Sequence, residues 1–241
     1  MKTPLALSLI LLFFATSLLR SEDVPANPIA EPGKLLLSDD FSEGTVGKGK
    51  TGPETWLALI PGFSIEDGVL KAWQGRDDHG AVGRVYLPMR DVIVDFRFQL
   101  NGTKNFNVVF DDQQFKGSHA GHIVRIAFAP TQIRLGDDKE GIMKNEIFEM
   151  RKDPDRKAEA EELLKGRGAT VKMPIEQGRW YSVRIELIGD EMRLSLDGEA
   201  VGYLQSRGLA HATKSSFHFT VNGDHALFDD VKIREALPVE K

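Results

Sequence analysis

The fold class is decided by the stretch Val92-Ile93-Val94-Asp95-Phe96-Arg97-Phe98-Gln99-Leu100. An apolar residue occupies every second position from Val92 to Leu100, and the residues between them are polar from Asp95 onward. A period of two is typical of a β-strand that buries one side and exposes the other. The stretch therefore predicts a half-buried strand.

The same period returns along the chain, in the segments 106–111, 181–187, 192–196 and 217–222. Dipeptides that favour tight turns separate such runs: Asp67-Gly68, Gly189-Asp190, Asp197-Gly198 and Asn222-Gly223. Many short strands with such turns predict an all-β sandwich or jelly roll, rather than a parallel α/β fold.

One short helix interrupts this pattern at about residues 154–165. Asp153 is a suitable N-cap, Pro154 fits the first helical position, and Gly166 fits the C-terminal cap. The helix lies in a long connection, from about residue 136 to 174, and long ordered loops are often functional.

The N-terminus has the pattern of a secretory signal peptide. Lys2 precedes an apolar run from Leu5 to Ala15, which is shorter than the roughly 20 residues of a membrane span. We expect a signal peptide over residues 1–17, a flexible leader over 18–34, the jelly-roll domain over 35–236 and a tail over 237–241. The mature protein is then expected to be periplasmic or extracellular, with no membrane span after cleavage.

The net charge and the absence of cysteine argue against some kinds of partner and anchor. The net charge of −5 argues against a nucleic-acid partner, since phosphate binding needs clustered positive charge. The chain has no cysteine, so neither disulfides nor a lipid anchor at a cysteine can hold it. The oligomeric state is left open.

The solvent-facing strand positions carry the side chains that a sugar site uses. Carboxylate, guanidinium, amide and imidazole groups can exchange hydrogen bonds with hydroxyls, and an indole can stack on a sugar ring. If the strands are neighbours, these residues tile one polar sheet face; the alternative is an ordinary solvated face with paired charges. The candidate substrate-binding residues are Asp95, Arg97, Asn107, Arg125, Trp180, Arg184 and His218.

Acidic residues near the two ends of the domain suggest a metal site. Asp40 lies near the start, and Asp229 and Asp230 lie near the end. Terminal strands are often adjacent in sandwiches, and carboxylate oxygens are the ligands that calcium prefers. We therefore expect a structural Ca²⁺ there and no required cofactor; solvated acids are the alternative.

Several short motifs, in this order, resemble the concanavalin A-like lectin/glucanase superfamily. Within it the chain looks like the 3-keto-disaccharide hydrolase-type domain of exported bacterial proteins, many of them planctomycete-like. The motifs are Leu37-Ser38-Asp39-Asp40-Phe41, Phe63 to Leu70, Asp91 to Gln99, Gly178-Arg179-Trp180-Tyr181, Leu196-Asp197-Gly198 and Phe228 to Ile233. The resemblance implies an all-β, concanavalin A-like jelly-roll sandwich of two antiparallel sheets whose partner is carbohydrate, but jelly rolls host lectins, lyases and hydrolases alike.

Two kinds of function follow. The first is a carbohydrate-active domain that binds glycan or hydrolyses a (3-keto-)glycoside on the concave sheet face. Its acid and base would come from Asp111, His122, Glu146 or Glu149, and Arg97 and Arg125 would hold hydroxyl or keto oxygens. The second is a non-catalytic lectin-like or structural cell-envelope module.

Overall fold

The computed structural model describes residues 24–44, 46–47 and 56–240. The predicted signal peptide lies outside these residues. Strands dominate the described part, which contains no helix long and apolar enough to cross a bilayer. The strands are β1 (Ala30–Asp39), β2 (Leu57–Ile60), β3 (Phe63–Glu66), β4 (Val69–Ala72), β5 (Ala81–Met89), β6 (Val92–Asp111), β7 (His122–Ala129), β8 (Gln132–Asp137), β9 (Gly168–Lys172), β10 (Trp180–Ile188), β11 (Glu191–Leu196), β12 (Glu199–Gln205) and β13 (Lys214–Pro238).

Two long strands, β6 and β13, pair with each other and belong to both layers of the sandwich. One layer, sheet A, has the order β12-β11-β10-β6-β13-β4-β3, with β1 beside the last part of β13. It uses the first half of β6, residues 92–100. The other layer, sheet B, has the order β9-β8-β7-β6-β13-β5-β2 and uses the second half of β6, residues 106–111. All these pairings are antiparallel, as the sequence predicts.

The chain passes from one layer to the other at facing irregularities in β6 and β13. The register shifts between Asn222 and His225, opposite residues 101–105 of β6. Gly102 and Gly223 have φ angles of +85° and +89°, in the left-handed region that glycine adopts without a steric cost. These residues therefore let both strands turn from sheet A into sheet B.

The core lies between the two sheets and is rich in phenylalanine. Phe98 of sheet A lies 4.9 Å from Phe106 and 5.3 Å from Phe128 of sheet B, measured between ring centroids. Phe96 lies 5.4 Å from Phe219 across the same interface. All are almost completely buried, so the aromatic residues of the alternating strands form the contact between the layers.

The predicted helix is present as a 3-10 turn, Pro154–Arg156, followed by the α-helix Lys157–Leu163, here α2. The Asp153 carboxylate caps it by accepting a bond from the backbone N–H of Asp155. A second short helix that the sequence pattern does not predict, α1 (Asn145–Met150), precedes it. Ile147 and Met150 of α1 pack on Ala160 of α2 and form a small separate core.

Residues 24–34, which precede the expected start of the domain, pack against the rest of the fold. Residues 30–34 form the first half of β1. The side chain of Arg193 donates hydrogen bonds to the carbonyl oxygens of Pro25 and Ala26, over 2.8 and 3.1 Å. The sequence analysis expects a flexible leader up to residue 34, but the first strand of the domain already begins at Ala30.

Candidate functional site

The outer face of sheet B carries a polar surface built from three rows of residues that lie opposite each other on neighbouring strands. Side chains two apart on a strand share a face, so the register fixes which residues are neighbours. The first row is Val82, Thr220, Asn107, Ala127, Arg134 and Thr170. The second is Arg84, His218, Val109, Arg125, Gly136 and Gly168, and the third is Tyr86, Ser216, Asp111 and His122.

Asp111 is the centre of this surface. Its carboxylate is fully buried and accepts a hydrogen bond from Arg84 Nη2, 2.7 Å from Oδ2. His122 Nδ1 lies 2.6 Å from Oδ1, and His218 Nδ1 lies 3.2 Å from Oδ2. Burial raises the pKa of Asp111, but the hydrogen bonds from His122 and His218 outweigh this effect and hold the pKa below its ordinary value. Asp111 is therefore an ionised carboxylate at neutral pH and remains ionised in mild acid.

An ionised carboxylate fixes the tautomer of His122. Because Asp111 can only accept, Nδ1 of His122 carries the proton, and Nε2 of the neutral ring keeps its lone pair. The ring is partly exposed, with 14% of its side-chain area accessible. His122 is thus an oriented imidazole that can take a proton from a bound molecule.

His218 has the opposite character. It is buried on all sides, and this burial lowers its pKa to about 4 in spite of the neighbouring Asp111. Its Nδ1 also lies 3.3 Å from Nη2 of Arg84. At neutral pH it is therefore an uncharged part of the network that holds Asp111.

A second buried carboxylate lies beside the first. Asp138 accepts a bond from Arg125 Nε over 2.8 Å, while its Oδ1 is buried without a hydrogen-bond partner. Burial raises the pKa of Asp138, and Arg125 opposes the rise. An unsatisfied carboxyl oxygen with a raised pKa is suited to carry a proton.

A cavity of ≈ 490 Å³ opens on the same face, next to Arg125 and Asp138. Small residues of β6 to β9 line its sheet side, and the long connection between β8 and β9 closes another side through Ile142, Leu164 and Arg167. The connection that the sequence analysis expects to be functional thus lies at the edge of this cavity. The size is within the range of small-molecule sites.

The three residues Asp111, His122 and His218 also satisfy the spacing of a metal site, because one ligand atom from each lies within 4.8 Å of the others. Within the described ranges no other group of this kind occurs. Arg84 already places its guanidinium against both Asp111 and His218. This cation supplies the positive charge that a metal would bring, so the cluster is accounted for as a hydrogen-bonded network.

The predicted substrate-binding residues do not share one face. Asn107, Arg125 and His218 lie on the outer face of sheet B with Asp111 and His122, whereas the others lie on sheet A. The physical reason is the crossing of β6: its residues 92–100 and 105–111 belong to different layers, whose outer faces point away from each other. The residues on sheet A are Asp95, Arg97, Trp180 and Arg184.

The residues on sheet A are engaged with one another. Asp95 is paired with Arg184 at 2.9 Å. The guanidinium of Arg97 lies over the ring of Trp180, 4.9 Å from its centroid, and covers the surface that a sugar would stack on. This matches the alternative interpretation of a solvated face with paired charges.

Glu146 and Glu149 are exposed on α1 and are separate from the Asp111 network. Glu149 forms a surface ion pair with Lys152 at 2.7 Å. None of the four candidate acids and bases lines the cavity, but Asp111 and His122 lie on the sheet face where it opens, whereas Glu146 and Glu149 lie on a helix outside the sheet. Of the four candidate acids and bases, the structure brings together Asp111 and His122.

The expected adjacency of the terminal strands is present, since β1 pairs with β13 and Asp39 lies opposite Val231. Asp229 and Asp230 each lie 3.4 Å from Arg97 Nη1. The carboxylate of Asp40 accepts bonds from the backbone and side chain of Ser42. Calcium binding by these acids stays a prediction.

Sequence reasoning missed Arg84, Asp138, Arg134 and Arg167 as site residues. A signal for Arg84 was present in the sequence, because Val85, Leu87 and Met89 alternate with the residues 84, 86 and 88. For Asp138 the sequence shows only an acidic pair, Asp137-Asp138, after a strand, which fits a ligand as well as a solvated loop acid; its complete burial against Arg125 is a tertiary contact.

The sequence matches no known protein family, and no curated protein is similar to it. Its fold is similar to that of the carbohydrate-binding module CBM66 from Bacillus subtilis, with a TM-score of 0.52 and 12% identity over 75% of this chain and 95% of that one. It is also similar to a non-specific endo-β-1,3(4)-glucanase of family GH16 (TM-score 0.55, 11% identity, 88% and 97% of the two chains). An endo-β-1,3-glucanase from Pyrococcus furiosus gives a TM-score of 0.54 at 11% identity over 88% and 100% of the chains. Identities of this size establish a shared fold alone, so the chain has the jelly-roll sandwich fold of these structures.

Proposed function

We propose that this protein is an exported carbohydrate-active domain that binds a glycan on the outer face of sheet B and cleaves a glycosidic bond there. The observation that carries the proposal is the contact between Asp111 and His122, at 2.6 Å, on the same sheet face as the cavity. The fold neighbours support it, since their names describe carbohydrate binding and glucan cleavage. Export rests on the N-terminal pattern of the sequence.

Binding is supported by the chemistry of the cavity. Asn107 and Thr170 offer amide and hydroxyl groups, and Arg125 offers guanidinium donors, around an opening of ≈ 490 Å³. Sugar hydroxyls need several such donors and acceptors at once. The small side chain of Ala127 and the absence of one at Gly136 leave room for a ring above the sheet.

The two groups that can exchange protons with a substrate are His122, as the base, and Asp138, as the acid. They favour a substrate with an acidic C–H bond. A ketone at C3 of a sugar acidifies the hydrogen at C2, and the imidazole of His122, oriented by Asp111, is a suitable base for such a proton. When Nε2 takes the C2 proton, the electron pair passes to the C3 oxygen as an enolate, which Arg125 can stabilise. This makes a 3-keto glycoside the preferred substrate class.

Asp138 completes the step. The enolate electrons return, form a C1=C2 double bond and expel the oxygen at C1, which takes the proton carried by Asp138. Water then adds across the double bond: its oxygen bonds to C1, its proton goes to the ionised Asp138, and His122 returns a proton to C2. This gives net hydrolysis of the glycoside and restores both groups. The raised pKa of Asp138 and its contact with Arg125 fit an acid that is protonated before the step and ionised after it.

The test is incubation of the mature protein with matched ordinary and 3-keto glycosides, with detection of the released aglycone. Release from the 3-keto substrates, reduced at least tenfold in Asp138→Asn, supports the proposal. Exchange of the C2 hydrogen with deuterated solvent should accompany turnover. Binding without release would favour the alternative of a lectin-like module, and absence of any binding would favour a structural cell-envelope role.

A further inference from the structure

The cavity on sheet B carries a surplus of positive charge that cleavage of a neutral sugar does not use. Three arginines line it, Arg125, Arg134 and Arg167, together with two acids, Asp137 and Asp138. The chain as a whole has a net charge of −5, so this concentration of guanidinium groups runs against the average of the protein.

The two acids do not neutralise all three arginines. Asp137 is nearly fully buried and turned into the protein, where it accepts bonds from Ser206 Oγ at 2.6 Å and from the backbone N–H of Gly208 at 3.0 Å. It also accepts from the backbone N–H of Glu140 at 2.9 Å. Asp138 is engaged by Arg125. Within the described part of the chain, neither Arg134 nor Arg167 has an ionic partner within 4.0 Å.

The position of these two arginines is set by the sheet and by the end of the helical insertion. Arg134 is exposed and lies opposite Ala127 and Thr170, in the first row of the face. Arg167 follows α2 and is held by one bond from its Nη1 to Ser206 Oγ, over 3.2 Å. They therefore approach the cavity from the sheet and from the insertion.

We infer that the cavity binds an acidic sugar, with its carboxylate or sulfate group held by Arg134 and Arg167. This inference rests on the proposed function and narrows its substrate class to glycans that carry a negative charge. A planar guanidinium can meet a carboxylate or sulfate with two parallel hydrogen bonds, which gives both affinity and orientation. The charge holds the substrate beside Arg125 and Asp138.

The test compares binding of three oligosaccharides of matched length to the mature protein by isothermal titration calorimetry. The probes are an oligogalacturonate, a sulfated oligogalactan and the neutral oligogalactan. We expect at least tenfold tighter binding of one acidic probe than of the neutral one, and a loss of that difference at about 0.5 M salt, where charges are screened within a few ångströms. The two acidic arms tell carboxylate from sulfate.

Variants separate this inference from the proposed function. Arg134→Ala and Arg167→Ala should each weaken acidic-probe binding about tenfold, a change of about 1.4 kcal/mol, and leave neutral-probe binding unchanged. Arg134→Lys should retain part of the affinity. Arg151→Ala, an exposed arginine outside the cavity, is the matched control.

Each outcome decides a different point. Equal affinity for acidic and neutral probes, or acidic binding unaffected by both arginine variants, overturns the acidic-sugar inference while the proposed carbohydrate function stands. If none of the oligosaccharides binds, and the glycoside panel gives neither binding nor turnover, the proposed function fails with it. Because Arg134 is exposed, its loss should leave the melting temperature unchanged, which thermal unfolding can verify.

Discussion

His122 Nδ1 lies 2.6 Å from Oδ1 of Asp111, across the pairing of β6 and β7. The two residues are eleven positions apart in the sequence, and a turn and a register shift between the strands bring them together. The contact orients an imidazole whose second nitrogen is available for chemistry.

The first prediction concerns this imidazole. His122→Gln should lower kcat of glycoside cleavage by about 10²–10⁴-fold, the usual contribution of a general base. His225→Gln is the control, because His225 Nδ1 lies 2.8 Å from Asp224 in a more exposed pair elsewhere on the surface. Steady-state kinetics on the best glycoside of the panel gives the measurement. Equal kcat for both variants would remove His122 from the mechanism.

The second prediction concerns the stability of the fold in acid. The pKa of His218 is about 4 in the folded chain, below its ordinary value of 6.5, because the ring is buried. Between these pH values the unfolded chain binds more protons, so the free energy of unfolding must fall as the pH drops from about 6.5 to about 4.

His218→Gln should flatten this pH dependence, since glutamine does not titrate. Urea unfolding at a series of pH values measures it. Asp111 adds a loss below its own ordinary pKa of 3.8, because its pKa is lowered in the fold. An unchanged slope between pH 6.5 and 4 in the variant would contradict the assignment to His218.

The third prediction uses the shape of the cavity. A Cβ at Gly136 would lie 3.5 Å from the Arg125 carbonyl oxygen and 3.9 Å from Asp138 Oδ1, which are ordinary contacts. Gly136→Val should therefore fold and place its branched side chain over the sheet, so glycan affinity should fall at least tenfold with little change in melting temperature. Ser182→Val, at an exposed position of β10 in sheet A, is the control, because it leaves the opening as it is. Full affinity in Gly136→Val would show that the sugar binds elsewhere.

The fourth prediction concerns the N-terminal segment. Arg193 is nearly buried, pairs with the fully buried Glu186 at 3.0 Å and holds the carbonyls of Pro25 and Ala26. Arg193→Met leaves the Glu186 carboxylate without its partner, so we expect a loss of about 3–5 kcal/mol in the free energy of unfolding. Deletion of residues 18–28 should lower the free energy of unfolding by less, because the ion pair between Arg193 and Glu186 remains. Denaturant unfolding of both proteins measures these two losses. A larger loss of free energy of unfolding from the deletion than from Arg193→Met would contradict the prediction.

The fifth prediction is the calcium site near the domain ends. If Asp40, Asp229 and Asp230 bind the ion, millimolar Ca²⁺ should raise the melting temperature by several degrees, and Asp230→Asn should abolish the rise. Binding must displace the contact of Asp229 and Asp230 with Arg97. A melting temperature that is the same with Ca²⁺ and with a chelator ends this prediction.

The alternation of apolar and polar residues by itself determined the class of the fold. The pattern around Phe96 and Phe98 specifies a strand with one buried face, because a one-residue shift would move every phenylalanine into solvent. The Asp153 cap and Pro154 likewise specified where the inserted helix begins. Strand alternation and helix capping depend only on residues that are close together in the chain, so the sequence is sufficient to predict them. The short helix α1 has no such cap and was missed.

The site was decided by the tertiary structure. The sequence marked Asp111, His122, Arg125 and His218 as polar strand residues, but it equally marked Arg97 and Trp180, which lie on the opposite outer face. A period of two says which residues share a face within one strand. It does not say that a strand such as β6 leaves one layer and enters the other at Gly102, where its outward side chains come to face another way. Only that crossing separates the paired charges of sheet A from the buried carboxylates and the arginine-lined cavity of sheet B.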